Sequence, residues 1–349
     1  MNVQEKSFEL DHRADVSRER WRGVALDQRI RAFQDTFIKH SDLADAEAMI
    51  DAKTFEIEHA YPFDDNDFEY KDTITYGSAI LMIGESGAGK TTFAHQLMTK
   101  YPRIFTPNVT YLSTVYMRVP SSPTERAMGV ALLNAMGHPD TKGNADDLLR
   151  RITILMRKCR VRRLLLDDFQ DIPATRRKGI QTIGDWVRKL IDATPCLVIA
   201  MGTPDALVVR DSNDQLQRRM QATVELLPFV VTTTDPKVRG IALKRWSKIM
   251  ESIDEKLPLA ETSNLSDSGL SVRLLLGSNA RFGHLSALLK HGIKVAFESG
   301  SEQITGAHLR IAFKRTFGSS ADNGNPFEES YDGEPLTQPG QAFAQVKVK

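Results

Sequence analysis

Apolar runs punctuate the middle of this chain at residues 78–84 (SAILMIG), 109–119 (VTYLSTVYMRV), 162–169 (RRLLLDDF), 195–202 (PCLVIAMG) and 222–230 (ATVELLPFV). They are continuous rather than alternating, the pattern of strands covered on both faces of a parallel sheet. Segments of helical length separate them, so residues 76–232 read as an α/β domain of repeated strand, helix, strand units. Before it, Leu26, Ile30, Phe33 and Phe37 recur at helical spacing, and YPFDDNDFEYKDT (61–73) reads as an acidic, aromatic linker. After it, residues 233–317 look entirely helical. Asp235-Pro236 is a helix-start signal, Phe282, Leu285, Leu288, Leu289, Val295 and Ala296 form an apolar stripe, and Thr305 is a candidate N-cap. Residues 318–349, rich in Gly, Pro, Ser, Asn and Gln, read as a disordered tail. The expected organisation is therefore an N-terminal partner-contact extension (1–75), an α/β core (76–232), a small all-helical lid (233–317) and the tail.

Composition narrows the class. The 349 residues are 41% hydrophobic, enough for one large or two modest cores. Forty-six Lys and Arg against forty-five Asp and Glu leave a net charge of +1, so a nucleic-acid surface would have to come from local charge. Two cysteines, Cys159 and Cys196, make no disulfide framework and point to a reduced, cytoplasmic setting. With no run of about eighteen apolar residues, no membrane-spanning helix is expected.

The chemistry starts at Gly84-Glu85-Ser86-Gly87-Ala88-Gly89-Lys90-Thr91, which fits G-x-x-x-x-G-K-[ST] at every position, between a strand and the helix-compatible TTFAHQLMTKY. Glycines permit positive φ, so successive backbone N–H groups turn toward a triphosphate, and the helix N-terminus adds partial positive charge. With Thr92 these residues are the expected ATP contacts; Lys90 would reach the β- and γ-phosphates and the Thr91 hydroxyl would bind Mg²⁺. A phosphate loop needs a carboxylate from a neighbouring strand end. Leu164-Leu165-Leu166-Asp167-Asp168 supplies it, with Asp167 toward Mg²⁺ and Asp168 polarising the attacking water. Aspartate at the second place is one methylene short of the commoner glutamate, which predicts slow hydrolysis.

Three further positions complete the reading. Thr203, closing the strand CLVIAMG, is a candidate γ-phosphate sensor, with an N-cap role as its alternative. Arg218 and Arg219, before the last strand, are candidate arginine fingers reaching a neighbouring subunit, the alternative being a helix-terminal cation pair. Arg281, opening a helix of the all-helical part, would contact phosphate. The basic stretches Arg157–Arg163 and Thr175–Lys178 offer modest support for DNA binding, each with a solvated helix face as its plain alternative. The eight histidines show no metal-ligand spacing, so no metal beyond nucleotide-bound Mg²⁺ is expected.

The order of these motifs resembles the AAA+ superfamily of P-loop NTPases. Within it, the chain is most similar to the TniB/TnsC family of transposition regulators, through ILMIGESGAGKTT, VYMRVPSSPTERAMGVALLNAMGHP, LLLDDFQD, VIAMGTPDAL and QLQRRM, over about residues 75 to 315. It departs from the common pattern at Asp168 and at Gln170-Asp171. The resemblance implies an AAA+ core with a helical lid, and an ATPase that assembles with ATP and Mg²⁺ into a homo-oligomeric ring or filament on double-stranded DNA, without sequence preference. Such an assembly connects a transposase to a target-selection protein, either a sequence-specific binder or the adaptor of an RNA-guided complex. The family's DNA-facing residues match positions near Arg118 and Thr124. Competing expectations are a helicase-loader-like or insertion-sequence helper ATPase, and a nucleotide-dependent switch that binds no DNA.

Overall fold

A computed structural model describes residues 18–36, 41–60, 77–107, 110–174, 177–226 and 236–344. The chain divides into two compact units: one comprises Lys39–Val230 with Arg281–Gly283, the other Met1–Ile38, Val231–Ala280 and His284–Lys349.

In the α/β unit, helix α2 (Ser41–Ala60) leads to strand β1 (Ser78–Gly84) and helix α3 (Lys90–Lys100). A small antiparallel pair, β2 (Ile104–Phe105) and β3 (Thr110–Tyr111), precedes β4 (Thr114–Arg118), so the second apolar run is broken into two strands. Helices α4 (Glu125–Ala135) and α5 (Ala145–Lys158) follow, then β5 (Arg163–Asp167), α6 (Arg177–Ala193), β6 (Leu197–Gly202), α7 (Ala206–Asp211), α8 (Asp214–Arg219) and β7 (Ala222–Leu226). The five-stranded sheet runs β4-β5-β6-β1-β7 and every pairing in it is parallel. Continuous apolarity is explained by position: β5 and β6 are buried at every residue.

This order corrects one expectation. The acidic strand β5 was expected beside the phosphate-loop strand, but β6 lies between them, in register with both. The strand ending in Gly202-Thr203 therefore sits centrally, between the phosphate loop and the two aspartates. The core on one side of the sheet includes Leu164, Leu166, Val198, Met128, Ile152 and Trp186. At the opposite, N-terminal edge, α2 is pinned by charge. Lys100 Nζ bonds Glu47 and Asp51 at 2.5 and 2.9 Å, and the Arg163 guanidinium stacks 3.8 Å from the Tyr101 ring centroid beside Asp51.

The helical unit consists of α1 (Leu26–Gln34), α9 (Pro236–Lys256), α10 (Ser268–Ser278), α11 (Phe282–Glu298, from His284 onward) and α12 (Gly306–Phe317). Thr305 does cap α12, accepting from the His308 N–H while His308 Nδ1 accepts from Thr305 N–H. Asp235 lies outside the described residues. Two expectations fail here. The first 75 residues are not one extension, since α1 belongs to the helical unit and α2 to the α/β unit. Arg29, fully buried on α1, makes the docking: it bonds both oxygens of Glu302 at 2.7 and 2.9 Å and the carbonyls of Trp21 and Val24. Nor are residues 318–344 a free tail. Phe327 and Leu336 are buried, and Arg273 holds the carbonyls of Pro326 and Glu328 at 2.5 and 2.7 Å. The low apolar content hid this, because two anchoring side chains and a web of turn hydrogen bonds suffice against a preformed helical surface.

Candidate nucleotide site

Parallel strands bring their C-terminal ends to one edge of the sheet, where backbone turns and polar side chains collect. The phosphate loop leaves β1 there. Gly87 and Gly89 have φ of +82° and +93°, values that glycine alone adopts readily, and Gly89 is the left-handed N-cap of α3. Residues Glu85, Ser86 and Gly87 are exposed, while Ala88, Gly89 and Lys90 are half-buried. Lys90 Nζ donates to the carbonyls of Gly84 and Glu85 at 2.6 and 3.1 Å, and burial pushes its pKa below the usual lysine value. Thr92 is exposed on the first turn of α3. Arg281–Gly283 groups with this unit, and the Gly283 N–H donates to the Gly87 carbonyl at 3.2 Å, which brings Arg281 beside the loop.

The two aspartates at the end of β5 have different surroundings. Asp167 is 1% exposed and fully partnered: its Oδ2 accepts from Thr91 Oγ1 at 2.7 Å and from the Tyr116 hydroxyl at 2.9 Å, and its Oδ1 from the Asp168 N–H at 3.0 Å. Burial and the facing carboxylate hold the Tyr116 phenol protonated, with its pKa pushed up to about 12. A threonine hydroxyl and a carboxylate, 2.7 Å apart at the foot of a phosphate loop, are the hard oxygen donors Mg²⁺ prefers. Asp168 is half-buried with φ +56°, the left-handed region, where aspartate is among the few non-glycine residues at home. Arg118 Nε bonds its Oδ2, and Gln170 Nε2 donates to its Oδ1 at 3.1 Å. The bond to Asp168 raises the Arg118 pKa further above the ordinary guanidinium value. Asp171 is shifted upward by burial and by the charge of Asp168.

The remaining expected residues sort as follows. The Thr203 N–H donates to Gln170 Oε1 at 3.1 Å, and its hydroxyl bonds Asp205 at 3.4 Å, so it stands at the strand end with a local partner. Arg219 Nε bonds Asp192 at 2.7 Å within the same unit, whereas Arg218 is exposed. Arg118, expected to face DNA, lies against Asp168. The Thr124 hydroxyl caps α4 by accepting from the Ala127 N–H at 3.1 Å. The basic stretch 157–163 is not an open face: Arg162 and Arg163 are both 6% exposed, and Arg162 is held near Glu58 with its pKa lowered to about 10 by burial. Of the second stretch, Thr175 and Arg176 lie outside the described residues.

Tyr116 was not singled out from sequence, and Gln170 stood out there only as a departure from the common pattern, without a role. Tyr116 and Arg118 are two residues apart on an edge strand, so they share a face, and the register Arg118↔Asp167 aims that face at the aspartates. The two-residue spacing within one apolar run was the available signal; the register was not.

Residues 68–227 match the family model of the bacterial TniB protein. No curated protein matches the sequence. Among solved structures, the ORC2 protein of Aeropyrum pernix in its ADPNP-ADP complexes aligns with a TM-score of 0.55 at 14% identity, over 83% of this chain and 72% of that one. The Cdc6p of Pyrobaculum aerophilum gives 0.54 at 13% identity, over 82% and 70%. The Aeropyrum pernix ORC1 protein in complex with DNA gives 0.51 at 13%, over 84% and 71%. At such identities the likeness is one of fold. The family match takes in the phosphate loop, Asp167 and Asp168, so residues 68–227 resemble the bacterial TniB protein on a fold like that of these ORC and Cdc6 structures.

Proposed function

We propose that the protein is an ATP-dependent regulator of DNA transposition, which assembles with ATP and Mg²⁺ on duplex DNA and links a target-selection protein to a transposase. The observation that carries this is the Thr91–Asp167–Tyr116 cluster under a glycine-rich phosphate loop, inside the stretch that matches TniB. Lys90 and the loop N–H groups bind the β- and γ-phosphates, Thr91 and Asp167 hold Mg²⁺, and Asp168 accepts the proton of the attacking water. Bound Mg²⁺ supplies charge neutralisation on the β- and γ-phosphate oxygens. Thr203 and Arg281 face the nucleotide from the central strand end and from the segment beside the loop.

Asp168 has both oxygens engaged, by Arg118 and Gln170. Each oxygen can still accept a second bond, but the Arg118 guanidinium competes with an attacking water for Oδ2, which supports slow turnover and a role for ATP mainly as an assembly ligand. Arg218 is the arginine finger offered to a neighbouring subunit; Arg219, tied to Asp192, positions the helix that carries it. The exposed segment around Arg118 and Ser121–Ser122 faces duplex DNA, so that DNA contact and the Arg118–Asp168 pair compete for one guanidinium.

Negative-stain microscopy with a slowly hydrolysed ATP analogue, with and without long duplex DNA, tests this. Rings or filaments that require both ligands, and that disappear in Lys90→Ala and Arg218→Ala, are expected. Monomers under every condition would overturn the assembly model.

A further inference from the structure

Immediately after Asp168, the chain turns through a short 3-10 segment, Phe169–Ala174, rooted by the buried ring of Phe169 and closed by the Asp171 N–H on the Asp168 carbonyl at 2.9 Å. This turn sends the Gln170 side chain sideways, across the end of β5 toward the end of β6. Its amide is used at both ends. Nε2 donates to Asp168 Oδ1 at 3.1 Å, and Oε1 accepts the backbone N–H of Thr203 at 3.1 Å. The amide orientation follows from these partners: a carboxylate only accepts and a peptide N–H only donates, so Oε1 and Nε2 can be assigned one way. Gly202 makes room for it. A Cβ at that position would lie 2.8 Å from Gln170 Oε1, 3.1 Å from Gln170 N and 2.9 Å from Ala206 Cβ, so a side chain there would displace the bridge.

Arg118 holds the other oxygen of Asp168, but on different terms. Its side chain is 69% exposed and long, so it is the partner that leaves at little cost. The Gln170 amide is half-buried and anchored to backbone at its far end. Once Arg118 swings away, water no longer competes with a guanidinium for Oδ2 while Oδ1 keeps its aim.

We infer that Gln170 is a positioning residue for hydrolysis, a rigid strut that fixes the Asp168 carboxylate relative to the end of β6, where Thr203 stands. The inference rests on the reading of Asp168 as the group that takes the proton from water. It deepens that reading by naming how a short aspartate, in place of a longer side chain, is kept at working geometry. It also gives β6 a route to the base: any shift of the Gly202-Thr203 peptide moves the Gln170 amide and, through it, Oδ1. Movement of a positioned catalytic group by about 1 Å costs on the order of a hundredfold in rate. Loss of the strut, with the backbone turn intact, is therefore expected to cost roughly tenfold or more in kcat.

The test compares the full-length protein with Gln170→Ala, Gln170→Glu, Asp168→Asn and the Asp168→Asn/Gln170→Ala double variant. Steady-state hydrolysis, affinity for a fluorescent ATP analogue and thermal unfolding are measured for each. Gln170→Glu keeps size and the acceptor for Thr203 N–H but replaces the donor to Asp168 with a carboxylate that repels it, so it breaks the same contact without leaving the cavity of the alanine variant. Both Gln170 variants should lose at least tenfold in kcat, with KM and analogue affinity within twofold of wild type. In the Asp168→Asn background Gln170→Ala should remove nothing further, because the strut has no base left to aim. Wild-type kcat in both Gln170 variants overturns the inference while leaving the Asp168 reading intact, and so does a full additional loss in the double variant. Wild-type kcat in Asp168→Asn alone overturns the reading of the base, and the strut with it.

Discussion

Removing one hydroxyl tests the electrostatics of the site. Tyr116→Phe keeps the ring and its contact with His95, 5.5 Å between centroids, and deletes only the donor that faces Asp167 Oδ2 at 2.9 Å. Asp167 is 1% exposed, so water cannot replace the lost donor, although Thr91 and the Asp168 N–H remain. A hydrogen bond to a charged acceptor contributes about 1.5–3 kcal/mol, and the half-open Tyr116 side moves the expectation to the lower end, about 1–1.5 kcal/mol. For a unit of this size about 1 kcal/mol lowers the midpoint by roughly 2–4 °C, so the α/β unit should unfold about 2–6 °C earlier by calorimetry. The pH dependence has a defined sign. A phenol whose pKa is pushed up to about 12 from an ordinary 10 stabilises the fold fully below pH 10 and loses that contribution as pH rises toward 12. The gap between wild type and Tyr116→Phe should therefore be flat from neutrality to about pH 10 and close above it. In an Asp167→Asn background the gap should shrink to less than half. Equal midpoints at pH 7, or an undiminished gap in the Asn background, would refute the reasoning.

Arg118→Ala removes the guanidinium that, under the proposal, competes with water for Asp168, so kcat should rise about two- to fivefold, the range an exposed ion pair allows, and duplex DNA should stimulate it less than wild type; a slower variant would show that Arg118 serves the reaction rather than restraining it. Phe327→Ala empties a buried site against Gly277 and should cost the helical unit about 3–4 kcal/mol, read by urea unfolding; an unchanged midpoint would return residues 318–344 to a free tail. The Arg29 hydrogen bond holds the Glu302 carboxyl below its ordinary 4.5, so this pair stabilises the helical unit fully above about pH 4.5 and weakens as pH falls through the lowered value. Arg29→Met should flatten that acid slope, and an unaltered slope would assign acid loss to other carboxylates.

How much of this was legible depended on whether the information was local. The phosphate loop was read residue by residue because eight consecutive positions set its backbone, and the φ of Gly87 and Gly89 bear out the reason for glycine there. Asp167 was legible because an apolar strand can end in a carboxylate pair only at a sheet edge. The relation of that strand to the phosphate loop was not, since nothing in either run tells which of two apolar strands will be central. Periodicity found α1 through Phe33 yet gave no warning that Arg29 shares its buried side, because a charge is buried there only by virtue of Glu302, far along the chain.

The same distinction explains why the working parts of the site were harder to see than its phosphate-binding parts. Binding a triphosphate needs backbone N–H groups and a lysine, all supplied by one loop. Setting the Asp168 carboxylate draws on three strand ends: Arg118, closing β4, bonds Asp168 after β5 across 50 residues, and Gln170, beside Asp168, bonds the Thr203 N–H after β6 across 33. Their assembly is a property of strand order, and in particular of β6 standing between β5 and β1. With β5 directly beside β1, no central strand end would abut the base, and Gln170 would have no Thr203 N–H to bridge to. The placement of one strand thus makes Asp168 answerable both to the nucleotide side of the sheet, through Thr203, and to the exposed edge, through Arg118. A sequence pattern that matches a phosphate loop names the residues that would hold ATP; under the proposal that Asp168 is the base, Arg118 and Gln170 on either side of it set what has to change before ATP is cleaved.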